Sequence, residues 1–153
     1  MNANAKPNKK ALVVESNRQE LSVYMRPVVD VFGQNSVDDA TGLEQAIRKA
    51  EQTNYDFCLI GKVSSWKENE HNREDISRLI DELHGQGIDY PHIVIVSQNS
   101  QLLKEAGEKG VKTFEREYGH DRELIWLLNL YLSEQKSIFE QKKVKPDKLS
   151  SPQ

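Results

Sequence analysis

The sequence has 153 residues, a length typical of one domain, and 37% of them are hydrophobic. Its single cysteine, Cys58, excludes an internal disulfide and a cysteine-rich zinc site. The formal charge is −3, but lysines concentrate at both ends, so the body between them is acidic and argues against a nucleic-acid surface. Because no apolar stretch reaches membrane-spanning length and no signal-peptide-like block opens the chain, we expect a soluble, cytoplasmic protein that contacts no membrane.

Short apolar runs typical of buried strands alternate with longer stretches in which apolar residues recur at helical spacing. In chain order, the predicted elements are a strand at 11–15, a helix from 17 to 32, a strand at 35–39, a helix opened by 41–42, a strand at 56–60, a helix around 76–83, a strand at 92–96, a helix at 101–109, a strand at 111–114 and a helix from 120 to about 141. Pro27 predicts a kink in the first helix. Five strands alternating with five helices predict a doubly wound α/β fold with a parallel sheet, and any functional site at the carboxyl ends of its strands.

The pattern predicts one folded domain, residues 10–141, between two polar ends. Residues 1–9 and 142–153 contain proline and are rich in lysine, so we predict that both are disordered tails. The last helix is longer than the sheet requires, and Ile138 and Phe139 lie beyond the expected edge of the core. Those two apolar residues indicate either a surface for a partner or fraying of the helix into the tail.

Five segments of the body carry its apolar strands and the residues that follow them: ALVVES, ATGLEQAI, YDFCLIG, PHIVIVS and KGVKTFERE. In this order and spacing they resemble the receiver domain of bacterial two-component response regulators. The resemblance spans nearly the whole body, from the first strand to the last helix. It implies a flavodoxin-like, receiver-like sheet of five parallel strands in the order 2-1-3-4-5, with five helices.

The resemblance also implies a phosphorylation site at the carboxyl edge of the sheet. In receivers, an acidic pair after the first strand binds magnesium, and an aspartate that ends the third strand accepts the phosphoryl group. A serine or threonine after the fourth strand and a lysine after the fifth contact the phosphoryl oxygens. This chemistry requires a carboxylate nucleophile, several oxygen ligands for a hard cation, and a cation beside the developing negative charge.

The sequence departs from this pattern at the positions that carry the chemistry. Gly61 stands in the place of the phosphoacceptor, and Glu15 and Ser16 stand in the place of the acidic pair. With no nucleophile and a single carboxylate, phosphorylation in the usual way is not expected. The resemblance is therefore to a degenerate receiver, a pseudo-receiver, for which we predict no bound metal and no cofactor.

The remaining positions of the pattern fall on the fourth and fifth strands. Ser97 and Phe114 fit the receiver pattern. Counted from Phe114, Glu117 stands in the place of the lysine, whereas a shift of one residue would place Arg116 there. Ser97 has a second interpretation, in which its side chain only caps the helix that follows.

Two charged residues at the strand ends have alternative roles. Glu15 is either a metal ligand or, as one carboxylate alone favours, a solvated residue at the end of a strand. Lys62 either places its ammonium near Glu15, which would hold the domain in one state, or is an exposed lysine without a partner.

The sequence predicts a binding protein and not an enzyme, because no nucleophile pairs with a base, the four histidines lack metal-ligand spacing, and no phosphate-binding glycine motif is present. The predicted partner or dimer face contains Phe114, Trp126, Tyr131 and Ile138. Trp66, in the loop beside the vacated site, either joins an interface or covers the pocket.

We therefore predict a phosphorylation-independent signalling or adaptor protein of a two-component-type pathway. Its partner would be a sensor kinase, another regulator or a second copy bound through the last helix. The sequence also allows two alternative functions. The chain could be the receiver-like input domain of a larger transcriptional regulator, or a small-molecule sensor that uses the vacated acidic pocket.

Overall fold

A computed structural model describes residues 9–63, 70–116 and 121–150, and for residues 70–72, 121 and 137–150 it describes the backbone alone. Its five strands are β1 (Ala11–Val14), β2 (Val37–Ala40), β3 (Phe57–Ile60), β4 (Ile93–Ser97) and β5 (Lys112–Glu115). All neighbouring strands are parallel, and their order in the sheet is β2-β1-β3-β4-β5. The predicted doubly wound fold with the strand order 2-1-3-4-5 is confirmed.

Helices cover both faces of the sheet, as parallel crossovers require. They are α1 (Arg18–Phe32), α2 (Leu43–Gln52), α3 (Glu70–Gly85), α4 (Ser100–Lys109) and α5 (Asp121–Ser150). Apolar residues of α1 and α5 form one core cluster with one face of the sheet, and those of α2, α3 and α4 form a second cluster with the other face. The three central strands are buried along their whole length, because helices cover them on both sides.

Helix α1 passes through Pro27 without ending there, and the kink expected at this residue stays a prediction. Pro27 is buried, and its neighbour Val28 lies in the core cluster. Burial of the apolar face of α1 against the sheet favours the helix and offsets the backbone hydrogen bond that proline cannot donate.

Helix α5 runs nine residues further than the end predicted at about residue 141. The structure places residues 142–150 in the helix, where the sequence predicts a disordered tail. The lysines and the leucine in this segment are good helix formers and no glycine interrupts it, although Pro146 is unfavourable. Within the described residues, no helix is long and apolar enough to cross a membrane. The tail residues 1–8 and 151–153 lie outside the described part.

Candidate functional site

The carboxyl ends of the central strands meet where the receiver resemblance places its site. Val14 is paired with Ile60, and the next residues along these strands are Glu15 and Gly61. The backbone continues the pairing beyond the strands, because the N–H of Gly61 donates to the carbonyl of Val14 at 2.8 Å. The N–H of Ser16 in turn donates to the carbonyl of Lys62 at 2.8 Å. Glu15, Ser16, Gly61 and Lys62 are therefore neighbours in the structure.

Glu15 is a buried carboxylate, with 1% of its surface exposed. Its Oε1 accepts a hydrogen bond from the backbone N–H of Lys62 at 3.0 Å, and its Oε2 accepts one from the backbone N–H of Asn17 at 2.9 Å. The expectation of a solvated strand-end carboxylate is wrong. The side chain turns inward because two backbone donors at the strand ends bind both of its oxygens.

The carboxylate of Glu15 fills the space that a side chain at position 61 would need. A Cβ atom on Gly61 would overlap Oε1 of Glu15, and would lie 3.1 Å from its Cδ and 3.2 Å from Cε2 of Tyr24. A glycine is therefore required at position 61, because only a residue without a Cβ atom lets the carboxylate of Glu15 approach the backbone so closely. The carboxylate beside position 61 comes from the end of β1, whereas in the receiver pattern the carboxylate of the phosphoacceptor comes from the end of β3.

A second carboxylate, that of Glu20 in the first turn of α1, lies near the carboxylate of Glu15. It accepts a hydrogen bond from Nη1 of Arg116, and its Oε2 lies 3.5 Å from the ammonium of Lys62. The same guanidinium nitrogen donates to the hydroxyl of Tyr24 at 3.3 Å. Both side chains of the Arg116–Glu20 pair are mostly buried, with 15% and 21% exposed. These contacts join α1 to the residues that follow β3 and β5.

Lys62 is not an exposed lysine without a partner, because its ammonium pairs with Glu20. Its direct contact with Glu15 is made by the backbone N–H, while the charge of the ammonium acts on Glu15 without an ion-pair contact. Sequence reasoning missed Glu20 altogether, although a signal was present. Asn17 caps α1, so Glu20 stands at the third helical position, where a glutamate commonly binds the N–H of the cap residue. Here Glu15 takes that N–H, which leaves Glu20 to bind the cations.

Arg116, the first residue after β5, lies in the site. Phe114 is paired with Val96 and Glu115 with Ser97, and the N–H of Arg116 donates to the carbonyl of Ser97 at 2.8 Å. Its side chain then reaches Glu20. Glu117 lies outside the described residues, as does Trp66, so the predictions made for these two residues stay predictions.

Ser97 is buried at the end of β4, but it does not cap the helix that follows. Its Oγ accepts a hydrogen bond from the N–H of Asn99 at 3.0 Å. The side chain of Asn99 caps α4 by accepting from the N–H of Leu102 at 2.9 Å. The hydroxyl of Ser97 therefore orients the turn before α4, and the neighbouring asparagine performs the capping.

The environment of Glu15 raises the pKa of its carboxyl group, and burial is the largest cause. The nearby charge of Glu20 raises this pKa further. Hydrogen bonds from the N–H groups of Asn17 and Lys62, together with the charge of Lys62, act in the opposite direction. Burial therefore outweighs the two donors, and the folded domain binds a proton at Glu15 more tightly than the unfolded chain does.

Because the pKa of Glu15 is raised on folding, its contribution to stability is fully present below the unfolded pKa of about 4.3 and is lost as pH rises through the folded value. We expect the free energy of unfolding of the wild type, minus that of Glu15→Gln, to fall over this pH window. Urea unfolding of both proteins at several pH values measures the difference. A difference that stays constant or rises with pH would contradict this assignment.

The residues at this edge do not fit a magnesium ion. Both carboxylate oxygens of Glu15 already accept backbone N–H groups, and Gly61 and Ser16 replace two of the carboxylates that the receiver pattern supplies. The cationic groups of Lys62 and Arg116 lie at Glu20, the other carboxylate. A hard divalent cation needs several free oxygen ligands, and like charges nearby oppose its binding.

The residues of the predicted partner face occupy different environments. Phe114 is in the core, with 9% of its surface exposed, and packs edge-on against Tyr131 with 5.9 Å between ring centroids. The hydroxyl of Tyr131 donates to the carbonyl of Pro91 at 2.9 Å. Phe114 is therefore a packing residue, and its placement in the partner face is wrong. Trp126 is 62% exposed, whereas the side chain of Ile138 lies outside the described residues.

No protein-family model matches the sequence, and no curated protein matches it either. Among solved structures, a two-component response regulator from Clostridium difficile superposes with a TM-score of 0.56 at 14% identity, over 82% of this chain and 96% of that chain. The chain has a receiver-like fold.

Two further solved structures share this architecture. The N-terminal domain of an uncharacterized protein from Wolinella succinogenes matches with a TM-score of 0.59 at 17% identity, over 91% of this chain and 98% of that chain. A de novo designed protein with a Rossmann 2x3 fold matches with a TM-score of 0.54 at 13% identity, over 86% of each chain. Since identities this low show the fold alone, the function of the receiver-like chain has to be argued from its site.

Proposed function

We propose that this protein is a phosphorylation-independent signalling or adaptor protein of a two-component-type pathway, with no catalytic site, that acts by binding another protein. The observation that carries the proposal is the carboxylate of Glu15, which fills the space where a side chain at Gly61 would lie. The site keeps the position of a receiver site but already contains its own negative charge.

The neighbouring charges support a site that is complete without phosphate. In the receiver pattern, a cation after the fifth strand binds the phosphoryl oxygens. Here Arg116 follows β5 and binds the carboxylate of Glu20, with Lys62 on the same carboxylate. The carboxylate of Glu15 thus lies beside Gly61, and that of Glu20 binds the cations that follow β3 and β5. Both carboxylates are permanent parts of the chain. The domain would then be held in one state, and its partner would recognise that state.

An amide NMR titration with magnesium and then beryllofluoride, a stable mimic of aspartyl phosphate, tests the proposal. We expect no saturable shifts at residues 15, 61 and 97, because Gly61 offers no carboxylate and both oxygens of Glu15 are engaged. A receiver domain with an intact acidic pocket, titrated under the same conditions, is the positive control. Saturable shifts at these residues would show that another carboxylate accepts the mimic and would overturn the proposal.

The extended helix α5 favours a second candidate, in which the domain is the input part of a larger transcriptional regulator. The helix has 30 residues and continues past Leu132 and Gln135, which are the last buried positions among the side chains of α5 that the structure describes. Such a helix would connect the domain to an output domain. The intact mass of the protein isolated from its own cells separates the candidates, since a stand-alone protein has a mass of 17.6 kDa.

The structure disfavours the small-molecule sensor. That alternative requires an open pocket where the phosphoacceptor side chain is missing. The carboxylate of Glu15 occupies this position, and the ring of Tyr24 lies against it. A ligand would have to displace a buried carboxylate and break its two hydrogen bonds to the backbone.

A further inference from the structure

Helix α5 exposes a ridge of four side chains spaced by four residues, which face solvent on the side away from the sheet. They are Arg122, Trp126, Leu130 and Glu134. Trp126 is 62% exposed and Leu130 is 47% exposed, and both are among the few large apolar side chains exposed in the described residues. Leu127, next to Trp126 in the chain, is also exposed, and so is Val23 of α1, which lines a cavity together with Ile125 and Asn129 of α5. A patch of this kind on a soluble domain indicates an interface.

We propose that this ridge binds the same ridge of a second copy of the chain, with the two α5 helices antiparallel about a twofold axis at the level of Leu128. Residue 128 lies midway between Trp126 and Leu130, so the tryptophan of each copy faces the leucine of the other. Side chains spaced by four residues form ridges that interdigitate when two helices cross at about −50°. The second copy would be the partner in the protein-binding function proposed above, and the inference rests on that proposed function.

The charges at the two ends of the ridge select a second copy as the occupant. The same axis places Arg122 of each copy opposite Glu134 of the other, so the antiparallel pair gains two opposite-charge contacts. Within one helix these residues are separated by about 18 Å, which is too far for them to pair. In the described part of the chain, neither takes part in an ion pair. A parallel alignment in register would instead oppose like charges. The surface is therefore self-complementary, as a twofold interface requires.

Charge reversal tests this geometry. Sedimentation equilibrium over micromolar to millimolar concentrations should show that the wild type forms a dimer. Arg122→Glu or Glu134→Arg alone should weaken dimerisation by about tenfold, because each places like charges together at both ends of the interface. A mixture of the two variants should form a heterodimer at least as stable as the wild-type dimer, since both contacts are again between opposite charges. The recovery in the mixture also shows that each variant is folded.

Arg48→Glu provides the matched control, because Arg48 is an exposed arginine on α2, on the opposite face of the sheet. It should leave dimerisation unchanged. A wild type that is monomeric at all concentrations would overturn the inference, and so would a dimer that neither single reversal weakens. Both results leave the beryllofluoride titration unaffected, so failure of this interface is distinguishable from failure of the phosphorylation-independent function.

Discussion

Replacing Gly61 with alanine is expected to lower the free energy of unfolding by about 2–3 kcal/mol, at the upper end of what overpacking a core costs. The added methyl would overlap Oε1 of Glu15 and press on Cε2 of Tyr24. Neither group can move freely, because Glu15 is held by two backbone donors and Tyr24 is buried in the core. Urea unfolding followed by circular dichroism measures the loss.

Gly107→Ala is the matched control for this prediction. Gly107 is exposed in α4, and a Cβ atom there would meet nothing within 4 Å. Alanine in a helix interior is favoured over glycine by about 0.5–1 kcal/mol, so this variant should be more stable than the wild type. Opposite signs for the two substitutions would show that the cost at Gly61 comes from the occupied space and not from loss of a glycine.

A double-mutant cycle identifies Glu15 as the group that fills this space. Glu15→Ala alone removes the acceptor of two backbone N–H groups and should be destabilising by about 1–3 kcal/mol. In the double variant with Gly61→Ala, the new methyl enters the space that the carboxylate has left. The double variant should therefore be more stable than the sum of the single effects by about 1–2 kcal/mol. Strict additivity would mean that the two residues do not compete for the same space.

Arg116→Met should lower the free energy of unfolding by about 1.5–3 kcal/mol, the range for hydrogen bonds to charged groups. The guanidinium of Arg116 binds Glu20 and the hydroxyl of Tyr24 in a site where the pair is at most about a fifth exposed. Removing it leaves Glu20 with the ammonium of Lys62 at 3.5 Å as its cation. Methionine keeps most of the aliphatic packing, so the measured loss, again by urea unfolding, reports mainly on the charged contacts.

The control for Arg116 is an arginine–glutamate pair of the same types at the surface. Nη1 of Arg78 lies 3.7 Å from Oε2 of Glu44, and both side chains are more than half exposed. Exposed pairs of this kind typically contribute less than about 1 kcal/mol, so Arg78→Met should have a much smaller effect. Equal effects of the two substitutions would contradict the role of Arg116 in joining α1 to the end of β5.

The predicted elements were found in the correct order, because the strands and most of the helices rest on local patterns. Buried faces leave a local pattern in the sequence, as in the apolar run 11–14 and the helical spacing of Leu124, Leu128 and Leu132. Helix α1 continues through Pro27 because burial of its apolar face outweighs the local preference of proline to end a helix. The end of α5 lies beyond the predicted one, since composition suggests disorder where the backbone is helical.

That glycine and a single carboxylate, Gly61 and Glu15, end the third and first strands could be read from the sequence, because it concerns which side chain stands at a strand end. The direction in which the carboxylate turns could not be read in this way. A residue after a strand can turn to solvent or inward. The N–H group of Lys62, which is 47 residues from Glu15 in the chain, reaches the carboxylate only once β1 and β3 are paired.

The sequence by itself determined the alternation of five strands with five helices and the side chains at the strand ends, with glycine at position 61 among them, since both are properties of residue type and spacing. Only the tertiary structure decided how those side chains meet. Glu15 occupies the space beside Gly61, and Arg116 binds Glu20. The physical reason is that both contacts join residues distant in the chain, and their geometry depends on the register of paired strands, which no local pattern encodes.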